Sequence, residues 1–268
     1  MLNHYNKVID MNNCDVSNMK AYIPNNLENS VFIHKICNID GSLYYAKRVW
    51  AKEEEDCLVN ELIGSYLSRL IDLDAVDYKI GKQGQYIYAL SKLFYEEDFD
   101  YEYSKKYNSN FDLDSMNKKF IIDNLPNEYP HIREKLLKLA LLDIKMGQYD
   151  RYNETNIMLK KSKITNFIDL APIYDFGFSY PLPTIWNKDA FVLYTNYFLT
   201  IRKNEESLQM LLNKYPQIYD IMYKLADIDM NSIIKDIEDS HEILIEKGIK
   251  NNLIEQDQEY SCLLKKVL

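Results

Sequence analysis

The sequence predicts an α+β fold of two lobes, a mainly β amino-terminal lobe holding one helix and a mainly α carboxy-terminal lobe. Three observations carry this. Val31 to Trp50 reads as two β-branched and aromatic runs around an Asp40-Gly41 turn. The chain after it switches to apolar residues at helical spacing. From about Asp189 to Leu268 the pattern is helical again. We therefore expect an amino-terminal lobe over residues 1–95 and a carboxy-terminal lobe over 96–268.

Taken in order, Val31 to Cys37 and Leu43 to Trp50 form a hairpin. "KEEEDCLVNELIGSYLSRLI" then opens with acidic residues, which suit a helix amino terminus, and places apolar residues at 58, 59, 62, 63, 66, 67 and 70. Glu61 lies just beside that stripe. Two short strands follow, Tyr78 to Ile80 and Tyr86 to Leu90, parted by a turn at Gly81 and Gly84. The acidic, aromatic passage "YEEDFDYEYSKKYNSNFD" reads as an exposed connection.

From about Asp114 the pattern is helical, clearest in "HIREKLLKLALLDIKMG", where Ile132, Leu136, Leu139, Ala140 and Asp143 mark successive turns and Gly147 stops the helix. The polar stretch "YDRYNETNIML" comes next. Ile157 to Lys161 and Ile164 to Leu170 read as a small hairpin turning at Lys161-Ser162-Lys163, with "IYDFGFSY" beyond it. "LQMLLNKY" and "IYDIMYKLADI" are helical patterns of the tail.

Composition narrows the function. The 268 residues are 47% hydrophobic and include only seven Gly and seven Pro, which leaves a compact chain with little linker. A formal net charge of -9 argues against broad electrostatic binding, so we expect no direct nucleic-acid contact and no stable membrane association. The opening residues show no leader pattern, and no apolar run approaches the roughly 20 residues of a membrane span. Cys14, Cys37, Cys57 and Cys262 are scattered, without the spacing of a zinc site or a disulfide framework. A reducing cytoplasm is the expected location.

The chemistry-bearing residues fall in one order. Lys47 sits in the strand "LYYAKRV", where a charge needs a partner, and Glu61 in the following helix is a candidate. If the small hairpin pairs, the residues leading in and out of it return to the same end, which brings Asn156 near Asp175 of "YDFG" with Asp150 close by. Read singly, Lys47 is an edge-strand lysine turned to water, and Asp150 and Asn156 are ordinary turn formers. Read together they supply what phosphoryl transfer from ATP requires: a cation for the phosphates, oxygen ligands for Mg²⁺, and a carboxylate for the attacking hydroxyl.

At these residues the chain resembles the HipA-like serine/threonine kinases, bacterial relatives of the protein kinase and phosphatidylinositol kinase fold. The resemblance rests on "YYAKRVW", "NELIGSYLSRLI", "DIKMGQYDRYNETNIML" and above all "DLAPIYDFGFS", and spans roughly Asn29 to Tyr180. It implies a two-lobed kinase fold in which Lys47 binds ATP phosphates, Glu61 pairs with Lys47, Asp150 is the catalytic carboxylate, and Asn156 and Asp175 hold Mg²⁺. It also implies that adenine is taken by backbone groups within "YALSKLF", at Ala89 and Leu90, and that Ser30 in "NLENSVFIHK" lies in the phosphate loop, where relatives autophosphorylate. A Ser or Thr of a protein is the implied acceptor. A small DNA-binding antitoxin is the partner that a toxin–antitoxin setting implies.

The sequence departs from the family in three places. The step from Asp150 to Asn156 is six residues, one more than in the family loop, so that either the loop bulges by one residue or Asn153 or Thr155 shares the role, and Tyr152 stands where the family has His. No glycine-rich phosphate loop is present, and the chain is shorter than full-length HipA toxins. The six-residue step keeps open a nucleotide-binding pseudokinase, and the likeness of "DRYNETNIML" to the loop of phosphatidylinositol kinases keeps open a lipid or small-alcohol kinase.

Overall fold

The structure, a computed structural model of the chain, describes residues 9–12, 15–17, 32–49, 56–103, 129–148, 151, 156–165, 167–177, 179 and 204–268. Asp40 and Gly41 both take positive φ, 50° and 78°, which fits the tight turn of a two-residue hairpin. Strands β3 (Phe32–Ile39) and β4 (Ser42–Val49) pair antiparallel across it. The amino-terminal sheet also contains β1 (Ile9–Asp10), β2 (Asp15–Ser17), β5 (Tyr78–Gln83) and β6 (Tyr86–Lys92), in the order β1-β5-β6-β4-β3-β2. β1 lies parallel to β5, and the remaining pairs are antiparallel.

Because side chains alternate along a strand, the register divides this sheet into two faces. Lys47 pairs with His34 on β3 and with Ala89 on β6, so these three share a face, together with Tyr45, Ile80 and Ser91. The other face carries a small cluster of Met11, Cys37, Ala46, Tyr88 and Leu90. Gly81 is part of β5 and not of the turn the sequence led us to expect. A Cβ there would meet Met11 Sδ at 2.5 Å and Leu90 Cδ1 at 2.6 Å, so the strand runs on and the chain turns at Gly84 instead.

Helix α1 (Asp56–Leu70) crosses the face that bears Lys47. It is buried nearly all round, with Cys57 to Ser65, Leu67 and Ser68 all inside, which marks a helix packed on two sides. The sheet covers one side, and α2 (Pro130–Met146) and α5 (Met230–His241) cover the other. Tyr66 on α1 donates to Asp236 Oδ2 on α5 at 2.7 Å. Leu58, Ile63, Ile80 and Ala89 join Leu139, Ile144, Leu225 and Ile234 in one apolar cluster that runs from the sheet into the helices.

The acidic passage after β6 is not wholly a surface connection. Phe99–Tyr103 forms β7, which pairs with β8 (Met158–Ser162), and β8 pairs with β9 (Ile168–Leu170) in a separate three-stranded sheet. Aromatic rings supply the reason: Tyr101 packs on Phe94 and Tyr95 with centroids 5.7 and 4.8 Å apart, so the acidic residues ride on an apolar anchor. The β8–β9 turn also falls later than expected. Ser162 Oγ accepts the amides of Ile164 and Thr165, at 3.2 and 3.1 Å, which fixes the turn just after β8.

Helix α2 begins at Pro130, which suits a first helical position, and ends at Gly147 with φ 64°. The Gly147 and Gln148 amides then bond back to Ile144 and Asp143 carbonyls at 3.2 and 2.8 Å, turning the chain sharply into the loop that follows. Helices α3 (Glu205–Lys214), α4 (Tyr219–Ala226), α5 and α6 (Lys247–Val267) complete the helical lobe. Lys145, near the end of α2, is buried against Asp257 of α6 at 2.6 Å and donates to Ser261 Oγ at 2.7 Å. No helix among the described residues is long and apolar enough to cross a membrane.

Candidate active site

A lysine in the middle of a buried strand must find a counter-charge, and Lys47 finds two. Its ammonium donates to Glu61 Oε1 on α1 and to Asp175 Oδ1 in the segment beyond β9. The Lys47 and Glu61 side chains are 4% and 0% exposed, whereas Asp175 is 25% exposed, so the cluster opens to solvent only at Asp175. Burial alone would push the Lys47 ammonium down, but Asp175 and Glu61 outweigh it and hold its pKa well above the usual lysine range. Burial would likewise push the Asp175 carboxyl up, and Lys47 overcomes this and holds it below the ordinary carboxylate value. Glu61 goes the other way: burial pushes its carboxyl up against the pull of Lys47. The cluster therefore keeps one firm carboxylate, Asp175, at its open end.

His34 and Tyr45 border Lys47 on the same face of the sheet, and Tyr45 Oη shares a hydrogen bond with His34 Nδ1. Burial, aided by the Lys47 charge, brings the His34 imidazole down to about 4, so it is neutral near pH 7.

A second buried ion pair lies under the loop after α2. Arg151 is fully enclosed, and its guanidinium meets the Asp143 carboxylate of α2 at 3.1–3.2 Å through Nε and Nη2. Its Nη1 donates to the Asn156 carbonyl at 3.1 Å and to the Tyr174 carbonyl at 2.6 Å. One side chain thus ties α2, the start of the β8 hairpin and the segment that leads into Asp175. Burial raises the Asp143 carboxyl to about 6 despite Arg151. Sequence reading gave Asp143 only a place on an apolar helix stripe and gave Arg151 no part. The available signal was a lone acid on that stripe, eight residues before an Arg.

Asp175 itself adopts φ 63°, the left-handed region that a residue with a Cβ seldom takes. Its N–H donates to Tyr78 Oη at 3.3 Å, and its carbonyl accepts from Gln148 Nε2 at 2.6 Å. The next amide, Phe176 N–H, donates to Glu61 Oε2 at 2.7 Å. The Phe176 ring packs directly on α1, where a Cβ on Gly64 would stand 2.1 Å from its Cγ. Asn60 on α1 donates to the Gly177 carbonyl at 3.1 Å and also to the Ser179 carbonyl. Sequence reading passed over Tyr78, Gln148 and Asn60, since nothing in their local pattern sets them apart.

Of the residues singled out in the sequence, Lys47, Glu61 and Asp175 come together directly. Asn156 joins them indirectly, because a single Arg151 nitrogen holds its carbonyl beside that of Tyr174, the neighbour of Asp175. Ala89 and Leu90, expected at the adenine, are placed within the sheet. Both lie inside β6, which is flanked by β4 and β5, so their backbone groups belong to the sheet. Leu90 also points to the face opposite Lys47. The chain leaves the sheet only after Lys92, and a backbone contact to a base would fall beyond it. Asp150 and Ser30 lie outside the described residues, as do Tyr152, Asn153 and Thr155.

The donors fit a hard divalent cation. A carboxylate and an amide offer oxygen ligands, and Mg²⁺ is held by one or two such protein groups with waters and substrate oxygens completing its shell. Among the described residues no cluster of three or more His, Cys, Asp or Glu forms an all-protein cage.

Comparison with known proteins bears on the fold. The sequence matches no family model and no curated protein. Solved structures do match. The proinflammatory kinase CtkA of Helicobacter pylori superposes with a TM-score of 0.68 at 17% identity, over 97% of each chain. HipA of Shewanella oneidensis MR-1, from a toxin–antitoxin complex with HipB and operator DNA, gives 0.59 at 13% identity, over 94% of this chain and 69% of that one. At such identities the likeness carries the architecture, and that architecture, a curled β-sheet lobe on a helical lobe, is the HipA-like kinase fold.

Proposed function

We propose that the protein is an ATP- and Mg²⁺-dependent kinase that transfers the γ-phosphate to Ser or Thr of a protein, itself included. The observation that carries this reading is the Lys47 ammonium, buried between Glu61 and Asp175 where the sheet lobe faces the helical lobe. A cation so placed is held ready for phosphate oxygens, and Glu61 keeps it aimed when Asp175 turns to another partner. Asp150, one residue before Arg151, is the carboxylate that orients the acceptor hydroxyl and takes its proton. Arg151 keeps that loop fixed against α2 and the β8 hairpin. Asp175 and Asn156 are the metal-holding residues, and bound Mg²⁺ would neutralise charge on the phosphate oxygens. Adenine lies against the backbone that follows Lys92, and the functional boundary between the lobes falls at residues 95/96.

A small DNA-binding protein is the partner we infer, a reading supported by the HipB complex of the HipA neighbour. The scattered cysteines support a cytoplasmic location. The test is incubation with labelled ATP and Mg²⁺, alone, with lysate, and with lipid vesicles, beside Asp150→Asn and Asp175→Asn. Label on protein that disappears in both variants is the expected result. Label on lipid alone makes the enzyme a lipid kinase, nucleotide binding without transfer makes it a pseudokinase, and no binding overturns the reading.

A further inference from the structure

Four consecutive main-chain groups around Asp175 are each held by a side chain. The Tyr174 carbonyl accepts from Arg151 at 2.6 Å, the Asp175 N–H donates to Tyr78 Oη at 3.3 Å, the Asp175 carbonyl accepts from Gln148 Nε2 at 2.6 Å, and the Phe176 N–H donates to Glu61 at 2.7 Å. Both peptide planes that flank the Asp175 Cα are therefore fixed at both ends. Arg151 and Glu61 have other partners, Asp143 and Lys47. Among the described residues the Tyr78 hydroxyl and the Gln148 amide make their hydrogen bonds to this turn, and they reach it from opposite lobes, one from β5 and the other from the end of α2.

We propose that Tyr78 and Gln148 are positioning residues that hold Asp175 in its left-handed conformation and so aim its carboxylate into the cleft; this rests on the kinase reading above. Without them a residue bearing a Cβ relaxes toward negative φ and its side chain swings away. The cost of the arrangement is visible at Gln148. It is 1% exposed, and its Oε1 has no hydrogen-bond partner among the described residues. An apolar side chain of the same shape would avoid that buried oxygen but would leave the Asp175 carbonyl without its donor, so the amide is there for the turn. Tyr78 is similarly enclosed at 3% exposure, and its hydroxyl accepts the Asp175 amide.

The test separates metal-dependent from metal-independent binding. ATP affinity is measured by calorimetry in EDTA and across a Mg²⁺ titration for wild type, Gln148→Met and Tyr78→Phe, with thermal melting of each metal-free protein alongside. We expect the Mg²⁺ concentration for half-maximal enhancement to rise about tenfold in Gln148→Met and less in Tyr78→Phe, whose lost bond is longer. Affinity in EDTA should stay within about twofold, since no phosphate-binding cation is touched. A Mg²⁺ requirement equal to wild type, or a parallel loss with and without metal, overturns the proposal. Tyr78→Phe removes a single oxygen and keeps the test valid should Gln148→Met melt early. Wild-type protein that binds no ATP in either condition overturns the kinase reading itself and the proposal with it.

Discussion

Two of the buried ion clusters among the described residues, Asp143–Arg151 and Lys47 with Glu61 and Asp175, use the same elements of charge to opposite ends. Asp143 and Arg151 are sealed, each 0% exposed at the side chain, and every guanidinium nitrogen is spent on a carboxylate or a carbonyl. Lys47 is equally buried, but it is shared by two carboxylates, and one of these, Asp175, is a quarter exposed. A sealed pair can only persist or break. A cation with two anions, one of them partly exposed, can exchange partners, because Asp175 can leave while Glu61 remains. Phe176 joins the clusters: its amide bonds Glu61, and the Arg151 guanidinium lies 5.2 Å from the centre of its ring.

The largest effect should come from breaking the sealed pair. Arg151→Met strands the Asp143 carboxylate in the interior and frees two carbonyls, for a loss of about 3–5 kcal/mol in urea unfolding. A loss below about 1 kcal/mol would show that the pair is not the anchor we describe. Lys47→Met should invert the balance. Phosphoryl transfer drops about 100-fold or more, while unfolding changes little, because Glu61 can take a proton and Asp175 can reach water. Equal damage to fold and turnover would erase the contrast between the clusters.

Gly64→Ala probes the joint. Its methyl group collides with the Phe176 ring and should cost about 1–3 kcal/mol, with a fall in turnover that exceeds any change in ATP affinity. The smallest effect concerns pH. The folded protein holds His34 near pKa 4, against about 6.5 unfolded. Between those values the unfolded chain binds the extra proton, so stability is intact above pH 6.5 and falls as pH drops toward 4, by about 2 kcal/mol after allowance for its partial exposure. His34→Gln should flatten that part of the melting profile and leave the rest unchanged.

What the sequence disclosed followed from what each signal depends on. Lys47, Glu61 and Asp175 were legible because a charge within an apolar strand or beside a helix stripe, or a fixed motif, is a local pattern. The β3–β4 hairpin was legible for the same reason, through Asp40-Gly41. β1 and β2, at two and three residues, are too short to show any period. β7 was hidden by its acids, whose exposure depends on rings packed from elsewhere in the fold. Arg151 has its partner only eight residues back, a lone acid on a helix stripe, whereas Tyr78 and Gln148 owe their roles to partners 97 and 27 residues away, which no local spacing reveals. That Ala89 and Leu90 lie inside the sheet was hidden, because the length of β6 is set by its neighbours and not by its own composition.

Helix α1 has a consequence for how the molecule can be divided. Its buried circumference belongs to two neighbours at once, the sheet on one side and α2 and α5 on the other, within a single apolar cluster. Cutting the chain at residues 95/96 would leave the first piece with half of a core open to water, and the second with the matching hollow. The boundary we propose between a nucleotide-binding part and a catalytic part is therefore a division of labour. For cooperativity the two lobes are one body, and α1 is the part they own in common.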